Sequence, residues 1–511
     1  MAAFSTVRTP SAAEIIELAA DFGIRLDADL AQSYRDLIDE GMESYRRIDQ
    51  LVEPKLPVRY ARTPGYRPDR QEDPLNAWWW KSEIKGAASG PLAGKTVALK
   101  DNVCLAGVPM TIGTSLLESY VPDIDATLVT RILDAGATIL GKAVCGAFCL
   151  EGSSITASTG LIPNPHNLAH AAGGSSSGSG ALVAAGEVDL AVGADQGGSL
   201  RIPSSWCGLH GLKPTYGLVP YSGLSSLEFT LDHAGPMARD IEDMALLLQA
   251  MAGPDGYDSR QHGSRVGDYV GALNQGAKGL KIAVLKQGFA RPGSDAVVDK
   301  KVRAALRRFE KLGCTVDEVS LPLHHDAVHI WIAIAREGAA QNMLKNGGAG
   351  ANQQGYQITP LVDASARALR QRPDDMADTA KLTLLFSEYM QRNYHGRYYA
   401  KGQNLRHTLR AAYDSILADY DLIALPTVCT LPPRLPDPDK CSPEQYEHDA
   451  HDSLLNPSAF NATGHPAGNL PCGVAPGNLP VGLSLVARHF DDATIIRASA
   501  AFSEKFNWTN I

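Results

Sequence analysis

Residues 195–208 read DQGGSLRIPSSWCG and set Ser199 behind Gly197 and Gly198, two residues ahead of Arg201. A serine on so bare a turn suits a nucleophile. Successive N–H groups of a glycine-rich turn, here those of Gln196, Gly197, Gly198 and Ser199, can converge on one point and hold an oxyanion, and glycines let a substrate carbonyl come close. The competing reading is an ordinary turn serine. A nucleophile needs a base. The motif G-x-S-x-G is absent from this turn. His210, in CGLHGLKPT, is near in sequence, but no acidic residue stands ready to orient it. Lys100, at the end of TVALK and ahead of Asp101 and Asn102, is the other candidate. A lysine at a buried strand end is cheaper to carry uncharged, and the neutral amine is a base. A surface lysine closing a strand is the plainer alternative. Serine–lysine hydrolases exist beside the Ser–His–Asp type.

Upstream lies GGSSSGSG, residues 173–180, ahead of ALVAAG. Alone this is linker composition. Followed at once by a helical pattern, it reads as a turn opening a helix, whose free N–H groups suit an anion or a polarised oxygen. Two imitations carry less. His325-Asp-Ala-Val-His329 has the spacing of a helical zinc motif, with Asp326 in the place of glutamate and no third ligand. Gly90-Pro-Leu-Ala-Gly-Lys95-Thr96 is one residue short of a phosphate-binding loop and precedes a strand.

The elements that must position these residues alternate. TVALKDNV reads as a strand, and DATLVTRILDAGATILGKAV as a helix and then a strand. DLAVGA reads as a buried strand running into the Ser199 turn. GLKIAVL, GCTVDEVSL, DLIALPT and PVGLSLVA are strand-like further on. Such alternation predicts an α/β core around a buried sheet. Residues 295–420 read as mainly helical, a cap or an insertion. At the other end, Ser11 and Glu14 form a capping box ahead of an apolar helical pattern, and Leu30, Tyr34, Leu37, Ile38, Met42, Tyr45 and Ile48 continue at helical spacing. The proline-rich stretch 53–74 is linker composition, so residues 1–75 are expected as a helical region and 76–511 as the main domain. The apolar helix faces of 1–75 predict a homodimer interface.

Composition bounds the rest. The chain has 511 residues, 44% hydrophobic and 20% charged, enough to bury a core without disulfides or metal. A net charge of −9 disfavours nucleic acid as a partner. No apolar run reaches the roughly 18 residues of a membrane span, and the N-terminus lacks the pattern of a secretory signal, so a cytoplasmic protein is expected. The eight cysteines, Cys104, Cys145, Cys149, Cys207, Cys314, Cys429, Cys441 and Cys472, are scattered and read as reduced thiols.

TVALKDNV, GGSSSGSGALVAAG, GADQGGSLRIPSSWCGLHGLKPTYGLVP and DHAGPMARDIED, in this order and spacing, resemble the amidase signature family. The resemblance is strong over about residues 90–255 and extends to GHPAGNLPCG and LPVGLSLVARHFDDATIIRASAAF near the C-terminus. The whole chain is similar to bacterial amidases with an N-terminal helical extension. The resemblance implies a large mixed central sheet covered by helices on both faces, and a Ser–cisSer–Lys triad of Lys100 as base, Ser175 as bridge and Ser199 as nucleophile, with 199 − 175 = 24 residues between the serines. It also implies an oxyanion hole from the N–H groups of residues 196–199, support from Asp195, Arg201 and Ser176, and no metal or cofactor. Acidic residues common in relatives are replaced here by Gly146 and Ala147, and Ile202 stands where amidotransferase subunits that draw ammonia from glutamine carry a polar residue. An acyl pocket of Cys145, Phe148, Cys149, Gly174 and Ile202 is therefore expected, suited to neutral apolar or aryl amides, with esters and carbamates within reach. The rivals are an inactive binding homologue and such an amidotransferase subunit.

Overall fold

The computed structural model describes residues 7–350, 353–437, 444, 448 and 452–511; Cys441 lies outside the described residues. The chain divides into two compact units, Met1–Lys55 and Leu56–Ile511. Residues 56–75, grouped with the helical region on composition, belong to the larger unit.

The smaller unit is a helix pair. Ser11 accepts from the Glu14 N–H at 3.2 Å while the Glu14 carboxylate accepts from the Ser11 N–H at 2.7 Å, which starts the helix Ala12–Asp21. Asp27 caps the second helix, Ala28–Asp49, through the Leu30 N–H. Ile15, Ala19 and Ala31 are buried.

The larger unit is built on an eleven-stranded mixed sheet. From edge to edge its strands are Trp78–Lys85, Thr138–Ala143, Thr96–Lys100, Leu190–Asp195, His233–Ala238, His210–Lys213, Ala467–Ala475, Leu479–Val486, Leu422–Pro426, Lys281–Leu285 and Thr315–Val319. Thr96–Lys100 runs parallel to both its neighbours, with Leu99 opposite Val192 and Lys100 opposite Ala143. Around the middle the pairing turns antiparallel, and the last three strands are again parallel.

Both faces of the central strands are buried, which explains strand sequences there that are apolar without alternation. Val97, Leu99, Leu190 and Val192 join one core with Leu128, Ile132, Met244 and Leu248 from the helices Thr127–Asp134 and Ile241–Met251. Ala98 and Ala191, one residue out of phase, join a second core with Ala181, Leu182 and Val183 of the helix Ser177–Ala185. The alanines matter, because small side chains let that helix lie close to the sheet. Residues 295–420 contain the helices Ala296–Lys311, Ala327–Ala339, Thr359–Gln371, Asp378–Tyr394 and Arg397–Asp419, together with the edge strand Thr315–Val319. No helix among the described residues is long and apolar enough to cross a membrane.

Candidate active site

Pleating sends Lys100 to the same face as Ala98, beneath the helix Ser177–Ala185. There the Lys100 Nζ donates to Ser175 Oγ at 2.8 Å and lies 3.4 Å from the Ala194 carbonyl. Lys100 and Ser175 are fully buried. Asp101, the next residue, does not pair with Lys100. It lies 3.1 Å from the Lys142 Nζ and accepts from the Thr111 hydroxyl and the N–H groups of Thr111 and Ile112. No ion pair among the described residues involves Lys100.

Ser175 follows a cis peptide bond from Gly174. Ser176 ties this segment to the neighbouring strand: its hydroxyl bridges the Ala194 C=O and N–H at 3.1 and 3.2 Å, and its own N–H donates to the Ser199 carbonyl at 3.0 Å. Ser199 thus sits against the segment that carries Ser175. It is nearly buried, and its hydroxyl makes no hydrogen bond to another described residue.

The Ser199 turn is anchored from below by a buried ion pair. Arg201 donates to Asp195 through Nε at 2.9 Å and Nη2 at 3.0 Å, and Asn461 donates to the Asp195 carboxylate and carbonyl at 2.9 Å each. Asn461 also accepts from Arg201 at 2.7 Å. Burial pushes the Asp195 carboxyl up, but the Arg201 charge and these hydrogen bonds outweigh it and hold the group well below the usual carboxylate range. Asp195 further accepts from the Gly198 N–H at 2.8 Å. That corrects one expectation: the Gly198 N–H is already taken and does not face an oxyanion. The N–H groups of Gln196, Gly197 and Ser199 have no acceptor among the described residues.

A cavity of about 90 Å³ opens over this turn. Ser199, Gln196, Gly197 and Cys149 line it together with the apolar Leu227, Trp331, Ile332, Ala335 and Leu454 and the polar Glu151, Arg336 and Thr383. Trp331 donates from its indole to the Gln196 carbonyl at 2.7 Å, and a side chain on Gly197 would stand 2.4 Å from the Trp331 ring, so only glycine lets the indole close over the turn. Of the pocket residues expected from sequence, Cys149 alone lines this cavity. Cys145 and Phe148 pack in a core with Met110, Leu116 and Leu117, Phe148 at a positive φ of 51°. Ile202 packs with Trp206 and Val428 beneath the turn. Gly174 lies against Glu151.

Glu151 explains Gly146. A side chain at 146 would fall 2.2 Å from the Glu151 Cγ, so a carboxylate from five residues later fills the space an acidic residue at 146 would occupy. Glu151 accepts from Ile155 and Thr156 N–H groups and from the Ser177 hydroxyl, and burial raises its carboxyl above the ordinary range. The Cys149 thiol adjoins Cys145, Lys100 and Ser175. The hydrogen bond from Cys145 draws Cys149 below its ordinary value against burial.

The other chemistry-bearing candidates lie elsewhere. His210 is buried, is pushed down to about 4 by that burial, and meets Ser503 at 3.4 Å. His325 and His329 are exposed, His325 meeting Arg291 at 2.9 Å. Lys95 of the phosphate-loop imitation is paired with Asp243 at 2.8 Å.

A family model for amidases matches residues 72–496. The chain belongs to the amidase family. It is 41% identical over 485 residues to an enantioselective amidase of Rhodococcus rhodochrous, covering 94% of this chain and 90% of that one. It is 37% identical over 462 residues to a glutamyl-tRNA(Gln) amidotransferase subunit of Exiguobacterium sibiricum, covering 90% and 92%. Among solved structures, a bacterial aryl acylamidase of the amidase signature family superposes with a TM-score of 0.69 at 25% identity, over 98% of this chain and 97% of that one. The corresponding glutamyl-tRNA(Gln) amidotransferase subunit of Thermotoga maritima superposes with a TM-score of 0.70 at 29% identity, over 85% and 88%. This amidase is therefore an amide hydrolase of the amidase signature type. Sequence reading missed Asn461, Glu151 and the cavity walls from residues 331–335; none carries a local motif that marks it.

Proposed function

We propose that this amidase cleaves neutral carboxylic amides with apolar or aryl acyl groups through an acyl-enzyme, using Ser199 as nucleophile, Ser175 as proton bridge and Lys100 as base. The observation that carries the reading is the 2.8 Å hydrogen bond between the buried Lys100 amine and Ser175, on the segment held against Ser199. Neutral Lys100 takes the Ser175 proton while Ser175 takes that of Ser199, and the Ser199 oxygen attacks the amide carbon. The free N–H groups of the turn stabilise the oxyanion. Ser175 then protonates the leaving nitrogen, the C–N bond breaks, and the released amine or ammonia departs. Water enters, gives a proton to the same relay and frees the acid. The donor set is two hydroxyls and an amine, so the route needs neither metal nor cofactor. Esters and carbamates can follow the same path.

The apolar walls of the cavity support the substrate class. Leu227, Trp331, Ile332, Ala335 and Leu454 would gain about 25 cal/mol per Å² of ring surface buried against them, while Arg336, which also lines the cavity, is the cation that a charged substrate would meet there. The test is kcat/KM for benzamide and an anilide against malonamate and glutamine. The proposal expects the aryl amides to be preferred; preference for glutamine would favour the amidotransferase reading.

A further inference from the structure

The largest grouping of potential metal ligands among the described residues lies apart from the reaction site. The strands Ala467–Ala475 and Leu479–Val486 pair antiparallel with Ala467 opposite Val486, so the residues just before the first and just after the second meet at one end of the sheet. His465 and His489 stand there, ring centroids 4.2 Å apart, beside Asp414 of the helix Arg397–Asp419. Asp414 Oδ1 lies 3.0 Å from His465 Nε2 and 4.0 Å from His489 Nδ1, and one ligand atom from each of the three residues lies within 4.8 Å of the others.

Thr463 holds both rings from behind. His489 Nε2 lies 3.0 Å from the Thr463 carbonyl, which can only accept, so Nε2 carries the proton and Nδ1 turns its lone pair toward Asp414. His465 Nδ1 lies 2.9 Å from Thr463 Oγ1, and its Nε2 lies 3.0 Å from Asp414 Oδ1. In one tautomer His465 hydrogen-bonds Asp414; in the other it turns a second imidazole lone pair to the same point, where a metal ion takes the place of the proton. Arg410 lies 3.7 Å from the other Asp414 oxygen on the exposed side, and the Lys213 amine donates to the His465 carbonyl at 2.7 Å.

We propose that Asp414, His465 and His489 form a zinc-binding site. Two imidazoles and a carboxylate match the ligand preference of Zn²⁺, and ligands about 2.0–2.1 Å from a tetrahedral zinc stand about 3.3 Å apart, close to the spacing already present. Each imidazole is fixed through its other nitrogen by Thr463, the arrangement that orients metal-bound histidines. A cavity of about 230 Å³ reaches His489 on one side of the cluster, its lining including Arg260, Arg406 and Arg410. The ion ties the helix Arg397–Asp419 to the sheet end and shares no residue with the reaction site, so it stabilises without taking part in turnover.

The test uses untagged full-length protein, first stripped with a chelator and then titrated with Co²⁺. The expected result is one equivalent bound, with the visible bands of tetrahedral Co²⁺, displaced by Zn²⁺. Binding is lost in His489→Ala and in Asp414→Asn, the second a change at a half-exposed side chain. Zinc raises the melting temperature of the wild type by a few degrees and leaves that of both variants unmoved, while amide turnover is the same with and without metal. Absence of Co²⁺ uptake by the wild type, or equal uptake by either variant with unchanged turnover, overturns the proposal.

Discussion

Replacing Arg201 by methionine keeps the bulk of a side chain that is fully buried and removes its charge. Asp195 then loses two charge-assisted hydrogen bonds and Asn461 loses one. What remains is a carboxylate with no exposure to water and only neutral donors. Breaking a buried pair in this way costs about 3–5 kcal/mol, far more than the pair's net worth, because the surviving charge is stranded. The pH dependence sharpens the prediction. In the wild type the folded-state carboxyl lies below its unfolded value of about 3.9, so it contributes stability above that pH, and the contribution is lost as pH falls. In Arg201→Met burial is the main remaining influence and lifts the carboxyl above its unfolded value. The variant is then penalised at neutral pH and relieved as pH falls. Urea unfolding of both proteins from pH 7 to about pH 4 should show a gap of about 3–5 kcal/mol that narrows on acidification. Because Asp195 also holds the Gly198 N–H, turnover should fall as well. A variant within about 1 kcal/mol of the wild type at neutral pH, or a gap independent of pH, would refute the reasoning.

Turnover of a neutral amide should rise from acid toward neutral and alkaline pH, since a protonated Lys100 cannot take the serine proton; a flat profile down to about pH 4 would be incompatible with a lysine base. Gly146→Asp should cost about 2 kcal/mol or more, because the new side chain meets the Glu151 carboxyl, and the double variant with Glu151→Ala should recover part of the loss in thermal melts. A single variant as stable as the wild type would show that Glu151 yields freely. Sedimentation should report a homodimer, motivated by the exposed Phe22, Leu37, Tyr45 and Ile48 of the helix pair; a monomer at micromolar concentration would count against it.

The strands that end in Lys100 and Asp195 are readable in the sequence because a sheet buried on both faces demands apolar runs, and a polar residue closing such a run stands out. The turn at Ser199 is readable from its glycines. What is not readable depends on contacts remote in sequence. Trp331 lies on a helix whose apolar positions look like any core face, and only the fold brings its indole to the Gln196 carbonyl. Chain proximity points Ile202 and Phe148 to the pocket, but one lies under the turn and the other packs in a different core. Glu151 replaces a missing acidic residue from a neighbouring turn, which spacing alone does not disclose. Glycine turns expose N–H groups, which points Gly198 to the oxyanion; the Asp195 carboxylate reaches its N–H first. Asp414, His465 and His489 have no motif spacing; two strands pairing in register bring the histidines together, and a helix remote in sequence brings Asp414 to them.

The central claim is that Lys100, Ser175 and Ser199 act as one relay, and the measurement that tests it most directly is kcat/KM for a neutral aryl amide in the three single alanine variants and the triple. Residues acting as a unit do not contribute additively. Each single variant should lose about 10⁴-fold or more, and the triple variant should fall little below Ser199→Ala. Near-normal turnover by any single variant, or losses that multiply in the triple, would contradict the account.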